Sequence, residues 1–138
     1  MKTYNQLIRL HEYRLHERQK VLARLQSEEA EMQLKIDGLQ AEMLIEEVRA
    51  LESPLGSATF GNYFRRASER RRTLADARNE IARNVVGARM ELKKAFDELK
   101  RIETLRDRKA LELEEEFKRI EQAELNEVAL QQHRRNGF

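Results

Sequence analysis

A seven-residue apolar repeat runs through almost the whole chain and is broken once, between residues 52 and 64. From Thr3 to about Glu52, position a takes Ile8, Leu15, Leu22, Glu29, Ile36, Met43 and Ala50. Position d takes His11, Arg18, Leu25, Met32, Leu39 and Glu46, so 9 of these 13 seam positions are apolar. A second run, from about Asn62 to about His133, fills 14 of 20 seam positions with apolar residues. They are Phe64, Val85, Leu92, Leu99, Leu113 and Ile120 at a, and Ala67, Leu74, Ile81, Ala88, Ala95, Ile102, Ala123 and Leu130 at d. Such a stripe on a helix in water must be covered by another helix. At about 1.5 Å per residue the second run alone would exceed roughly 100 Å.

The interruption reads E-S-P-L-G-S-A-T-F-G-N-Y-F and supplies the means of covering the stripe. It holds the only proline and three of the aromatic residues, Phe60, Tyr63 and Phe64. Pro54 disfavours the helical conformation at Ser53 and removes a backbone donor, so the first helix stops there. Gly56 and Gly61 permit a turn, and Ser57, Thr59 and Asn62 are candidate N-caps for the second helix. The expectation is an all-α fold: an elongated antiparallel two-helix coiled-coil hairpin with a longer second helix. The whole of residues 1–138 forms one coiled-coil domain, with a helix over about 3–52, a turn over about 53–61 and a helix over about 62–135.

Composition fits that reading. Charged residues are 38% of the chain and aromatics 6%, against about 25% charged in an ordinary soluble domain. A core enclosed on all sides is therefore not expected. Disorder competes with this reading in charge-rich chains, but the net charge is only +2 and the apolar residues keep a helical period. The chain has no cysteine, which excludes disulfides and thiolate metal sites and fits a reducing compartment. The N-terminal stretch has no apolar run of signal-peptide length, and no segment reaches about 18 apolar residues. A soluble, cytoplasmic protein with no direct membrane insertion is expected.

Charge suggests an alignment. One that sets Leu15 against Ile102, Leu25 against Leu92, Met32 against Val85 and Met43 against Leu74 also sets Glu46 against Arg71. Residues 27–52 carry two basic and eight acidic groups, and their expected partners at 65–90 carry eight basic and three acidic. Residues 1–26 carry six basic and two acidic groups, facing seven basic and nine acidic at 91–116. Opposed blocks of this kind select an antiparallel alignment, although each exposed pair contributes only about 0–1 kcal/mol. In this register the second helix overhangs the first from about residue 117. The overhang still carries Phe117, Ile120, Leu125, Val128 and Leu130, an apolar stripe without an internal partner.

Catalytic constellations are missing. There is no glycine-rich phosphate loop and no nucleophile beside a histidine–acid pair, so no enzyme and no cofactor are expected. His11 and His16 are five residues apart, about 140° beyond a full helical turn, whereas a metal-binding helix places its ligands at i,i+4. Glu114, Glu115 and Glu116 read as a solvated helix face. The run R-R-A-S-E-R-R-R at 65–72 has the charge that phosphate contacts need, with Tyr63 and Phe64 beside it for stacking. The same arginines equally balance the acidic segment opposite, and no nucleic-acid partner is expected.

The two ends of the chain carry a resemblance. M-K-T-Y-N-Q-L-I-R-L-H-E-Y-R-L-H-E-R-Q is similar to the start of the alphaproteobacterial FliJ-type flagellar export proteins: a short basic lead, a Leu-Ile-Arg-Leu run, an aromatic, then Glu-Arg. The C-terminal part resembles that family's pattern Gln-x-Glu-Leu-Asp-Glu-Ile-Ala-Leu before a basic, histidine-containing end. Here it reads Gln122, Ala123, Glu124, Leu125, Asn126, Glu127, Val128, Ala129 and Leu130, then His133, Arg134 and Arg135, with Asn126 for the aspartate and Val128 for the isoleucine. The resemblance covers the chain from end to end.

It implies a non-enzymatic cytosolic part of the flagellar type III export apparatus, at the inner face of the inner membrane. Such proteins resemble the rotary stalk of F-type ATPases. Both chain ends enter the pore of a hexameric export ATPase, and the hairpin tip points to the membrane export gate. The ATPase would then meet Leu7, Ile8, Arg9, Leu10, Ile120, Glu124, Leu125, Glu127 and Val128. The gate would meet Phe60, Tyr63, Phe64, Arg70 and Arg71. Export chaperones are further partners, and the isolated protein would be a monomer. Competing readings are the equivalent stalk of a virulence secretion system, a dimeric coiled-coil adaptor whose helices pair between chains, and a nucleic-acid-binding hairpin using Arg65 to Arg72.

Overall fold

The computed structural model describes residues 1–136, and these form two helices. Helix α1 spans Lys2–Glu52 and α2 spans Pro54–Asn136. Leucine, glutamate, arginine, lysine and glutamine supply much of both, all residues with low cost in a helix interior. The expected hairpin with a longer second helix is present, but the reversal is far tighter than the turn over about 53–61. Ser53 alone separates the two helices.

The tightness has a local cause. Pro54 opens α2 at its first helical position, where a missing N–H costs nothing. Ser53 caps the helix: its Oγ accepts from the Gly56 N–H at 3.0 Å, and its carbonyl accepts from Ser57 N–H at 3.1 Å. The expected caps Ser57, Thr59 and Asn62 all lie inside α2, and the Thr59 hydroxyl donates back to the Leu55 and Gly56 carbonyls. Gly61 is also helical, with open space where a Cβ would stand. Gly56 serves packing: a Cβ there would lie 3.1 Å from Ser53 Oγ, 3.3 Å from the Arg49 carbonyl oxygen and 3.4 Å from Ala50 Cα.

Two compact units result, His16–Lys94 and Met1–Leu15 with the chain from Ala95 onward. In the first unit, Leu39, Met43 and Ala67 form a buried cluster with Tyr63 and Leu74 against it, and Ile36, Ala50 and Val85 are buried too. In the second, Ile8, Ala95 and Leu99 are buried. Every buried residue falls on an a or d position of the repeat read from the sequence. Small alanines at d positions, Ala67 and Ala95, sit among them.

The alignment differs from the expected one by about a heptad. Within the first unit, Arg78 donates to Gln33 Oε1 at 2.9 Å, where the expected register sets Asn84 against Gln33, and Met43 shares a cluster with Ala67. Within the second, His11 Nδ1 lies 3.8 Å from Glu98 Oε2, where Arg106 was expected. Moving the reversal point along a hairpin shifts facing pairs by twice that distance. A reversal centred on Ser53, and not on the middle of 53–61, accounts for the slip. A one-heptad slip keeps a against d, so the stripe closes either way.

The expected Glu46–Arg71 layer is consequently absent. Glu46 pairs with Arg49 on its own helix at 3.1 Å. Across the helices, among the described residues, Arg18 pairs with Glu91 at 4.0 Å and His11 Nδ1 lies 3.8 Å from Glu98 Oε2, neither joining 27–52 to 65–90. The uncovered part of α2 also begins earlier than residue 117: every residue of 107–136 is exposed.

Candidate docking surfaces

Three aromatic rings gather on the early turns of α2. Phe60 stands 6.3 Å from Tyr63 and 5.8 Å from Phe64, ring centre to ring centre, with tilted planes. Offset and tilted pairs suit the ring quadrupole. Phe60 and Tyr63 are half-buried, and Tyr63 packs on the Leu39–Met43–Ala67 cluster. Phe64 occupies an a position, yet is 48% exposed. Burial raises the Tyr63 phenol above its ordinary pKa, and the Glu42 and Glu46 carboxylates push it the same way. The fold favours a neutral tyrosine there.

Phe64 and Arg71 share an open groove of about 720 Å³ between α1 and α2 in the first unit. Ile36 and Gln40 line it from α1; Ser68, Arg72, Ala75 and Arg78 are among those lining it from α2. Arg70 belongs elsewhere, to a smaller groove of about 290 Å³ with Lys35, Glu42 and Leu74. The five expected gate-facing residues are therefore split: Phe60 beside both Tyr63 and Phe64, Arg71 sharing a groove with Phe64, and Arg70 apart.

None of Arg65, Arg66, Arg70, Arg71 and Arg72 forms an ion pair with a carboxylate among the described residues. Arg78 donates to two amide oxygens, of Gln33 at 2.9 Å and Asn79 at 3.1 Å. Ser68 Oγ is buried without a hydrogen-bond partner.

Sequence reasoning missed an aliphatic surface around the reversal. Leu44, Val48 and Leu51 are exposed by 64, 58 and 85%, and Leu55 by 77%. Within α1 the spacing of Leu44, Val48 and Leu51, four and three residues, is itself helical, and with Leu34 and Ala41 it forms a second heptad outside the a and d set, while Leu55 belongs to α2 beyond Ser53. That second period was the available signal.

The second unit carries the other candidate surface. Leu7 and Leu10 are 36% and 43% exposed, and Arg9 is exposed. Ile8 is 6% exposed and belongs to the seam, so it has little surface to offer a partner. On α2, Leu113, Phe117, Ile120, Glu124 and Val128 follow one another at four, three, four and four residues, which places them on one face. Ile120 is 54%, Phe117 66% and Val128 49% exposed. Glu127 is exposed and sits beside Val128 near this face. Leu125, 57% exposed, is turned about 140° from Ile120 and lies off it.

Among the described residues no group of three His, Asp or Glu side chains could hold a metal ion. His11 leans toward Glu98, and His16 is exposed. Glu114, Glu115 and Glu116 are exposed, and Glu114 pairs with Lys118 at 3.4 Å. No described helix is long and apolar enough to cross a membrane.

No curated protein and no solved structure matches the chain. A family model does, the one described as flagellar FliJ protein, over residues 1–138. A chain of two long heptad-patterned helices, and a match to that model over residues 1–138, lead to one conclusion: the chain belongs to the flagellar FliJ protein family.

Proposed function

We propose that this component of flagellar type III protein export is a non-enzymatic stalk joining the hexameric export ATPase to the membrane export gate. The observation that carries the ATPase contact is the bare C-terminal stretch of α2, residues 107–136, with an apolar face interrupted by Glu124 and no covering helix. An uncovered helix face of this kind is a ready docking element for a groove or ring lumen. Ile120, Glu124, Glu127 and Val128 supply this contact, with Leu125 on an adjoining side and Leu7, Arg9 and Leu10 as the N-terminal contribution. Ile8 holds the seam beneath them.

The gate contact falls to Phe60, Tyr63, Phe64, Arg70 and Arg71. Exposed Phe64 is the anchor, and Arg71 beside it gives directional hydrogen bonding. Export chaperones could dock on the same apolar faces. The working location is the cytoplasmic side of the inner membrane, and the seam closes within one monomeric chain.

The test is retention of the hexameric ATPase and of the cytoplasmic part of the gate protein by immobilised full-length chain. Removing residues 107–138 should abolish ATPase retention and leave gate retention intact. Replacing Phe64 and Arg71 by alanine should do the reverse. Undiminished ATPase retention by the truncated chain refutes the stalk reading.

A further inference from the structure

We infer that the groove beside Phe64 is built for an acidic protein segment carrying a bulky apolar side chain. The inference rests on reading Phe64 and Arg71 as docking residues, but not on which protein docks.

Guanidinium charge in this groove is not spent within the chain. Arg65, Arg71 and Arg72 line it without a carboxylate partner. Arg78, at the far end, is held by the neutral Gln33 and Asn79 side chains. The acidic character of α1 does not reach in: its contributions to the lining are Ile36 and Gln40. Glu42 lines the other groove, and Glu46 is taken by Arg49. Glu69 is the one carboxylate in the lining, and it pairs with none of these arginines. A planar guanidinium with free donors selects carboxylates in a two-pronged geometry.

The apolar part of the lining is equally specific. Phe64 and Ala75 offer contact area for one large side chain above the buried Ile36, and Phe64 leaves half its surface available for it. Buried Ser68 Oγ has no partner and can donate to an incoming oxygen. The volume of about 720 Å³ suits side chains inserted from a docked peptide.

A nucleic acid would need the same arginines, but its charge is continuous along the strand. Along the groove it would run past Glu69 of the lining and Glu47, which shares the adjoining hollow with Phe64 and Arg71. A peptide carries its carboxylates where they are useful and ends where they are not.

The test titrates full-length protein with three fluorescent probes of equal length: a Glu–Leu peptide, a Glu–Ser peptide of the same charge, and oligothymidylate. The Glu–Leu peptide should bind best, and binding should weaken as salt rises. Arg71→Glu with Arg72→Glu should weaken it about tenfold. Phe64→Ala should erase the advantage of Glu–Leu over Glu–Ser. Circular dichroism checks the fold of each variant, and Arg71→Gln replaces the double variant if helicity falls. No binding of the Glu–Leu peptide, tighter binding of oligothymidylate, or no effect of either arginine variant overturns the inference. No export protein takes part, so peptide binding that survives alongside lost gate retention refutes the gate reading alone.

Discussion

Three glycines of one chain should respond to the same substitution with opposite signs. Gly38 and Gly61 are helical, with open space where a Cβ would stand. Alanine at either should stabilise by about 1 kcal/mol, the difference in helix propensity. Gly56→Ala gains the same amount but places a methyl 3.1 Å from Ser53 Oγ, 3.3 Å from the Arg49 carbonyl oxygen and 3.4 Å from Ala50 Cα. Two of those atoms are backbone of α1. The third is the capping hydroxyl, already fixed by its 3.0 Å bond to the Gly56 N–H. Relief means opening the reversal, with loss of the cap at about 1 kcal/mol and overpacking strain of about 1–3 kcal/mol. The net expectation for Gly56→Ala is a destabilisation of about 1–3 kcal/mol. Urea unfolding of the full chain, followed by helical ellipticity, measures all three. A Gly56→Ala protein as stabilised as the Gly61→Ala one would refute the close approach of the two helices at Ser53.

The register is testable by double-mutant cycles. Gln33→Ala and Arg78→Ala should be coupled by about 0.5–1.5 kcal/mol, while Glu46→Ala and Arg71→Ala should add within about 0.3–0.5 kcal/mol; the opposite pattern restores the other alignment. Ile36→Ala, in the seam at 3% exposure, should cost about 2–4 kcal/mol, whereas Ile120→Ala should leave the unfolding curve within about 0.5 kcal/mol of wild type and weaken ATPase retention. Tyr63, followed by phenolate absorbance with Tyr4 and Tyr13 replaced by phenylalanine, should titrate above about pH 10. Because the fold favours its neutral form, its contribution is fully present below that pH and is lost as pH rises through the folded midpoint. Glu42→Gln with Glu46→Gln should lower that midpoint, and an unchanged value would remove the carboxylates as a cause.

The seam was readable from the repeat, since burial depends on helical phase and phase survives any slip by a whole heptad. That is why Ile36, Met43, Val85 and Leu99 are buried as their positions require, while the pairs they form are displaced. What the pattern could not convey was the length of the reversal. Proline, two glycines and polar capping residues spread over 53–62 read as a loop. Pro54, however, is at its best as a first helical residue, and Gly56 is needed for its missing side chain and not for backbone freedom. Charge did not correct the register, because the arginines of 65–72 and the glutamates of 42–52 form no ion pairs with each other. The candidate surfaces follow the same division. Exposure of the C-terminal stretch came directly from the longer second run, whereas the exposure of Phe64 and the burial of Ile8 depended on packing that composition does not specify.

The reversal at Ser53 also works as a gauge. In a hairpin without slack, each residue by which the bend is displaced changes the leftover length of the longer arm by two. Inserting one heptad before Pro54 lengthens only the shorter arm and would cover another heptad of the free arm, and deleting one would bare as much. How far the chain extends beyond its own seam is thus decided by a serine and a proline lying more than fifty residues away in sequence.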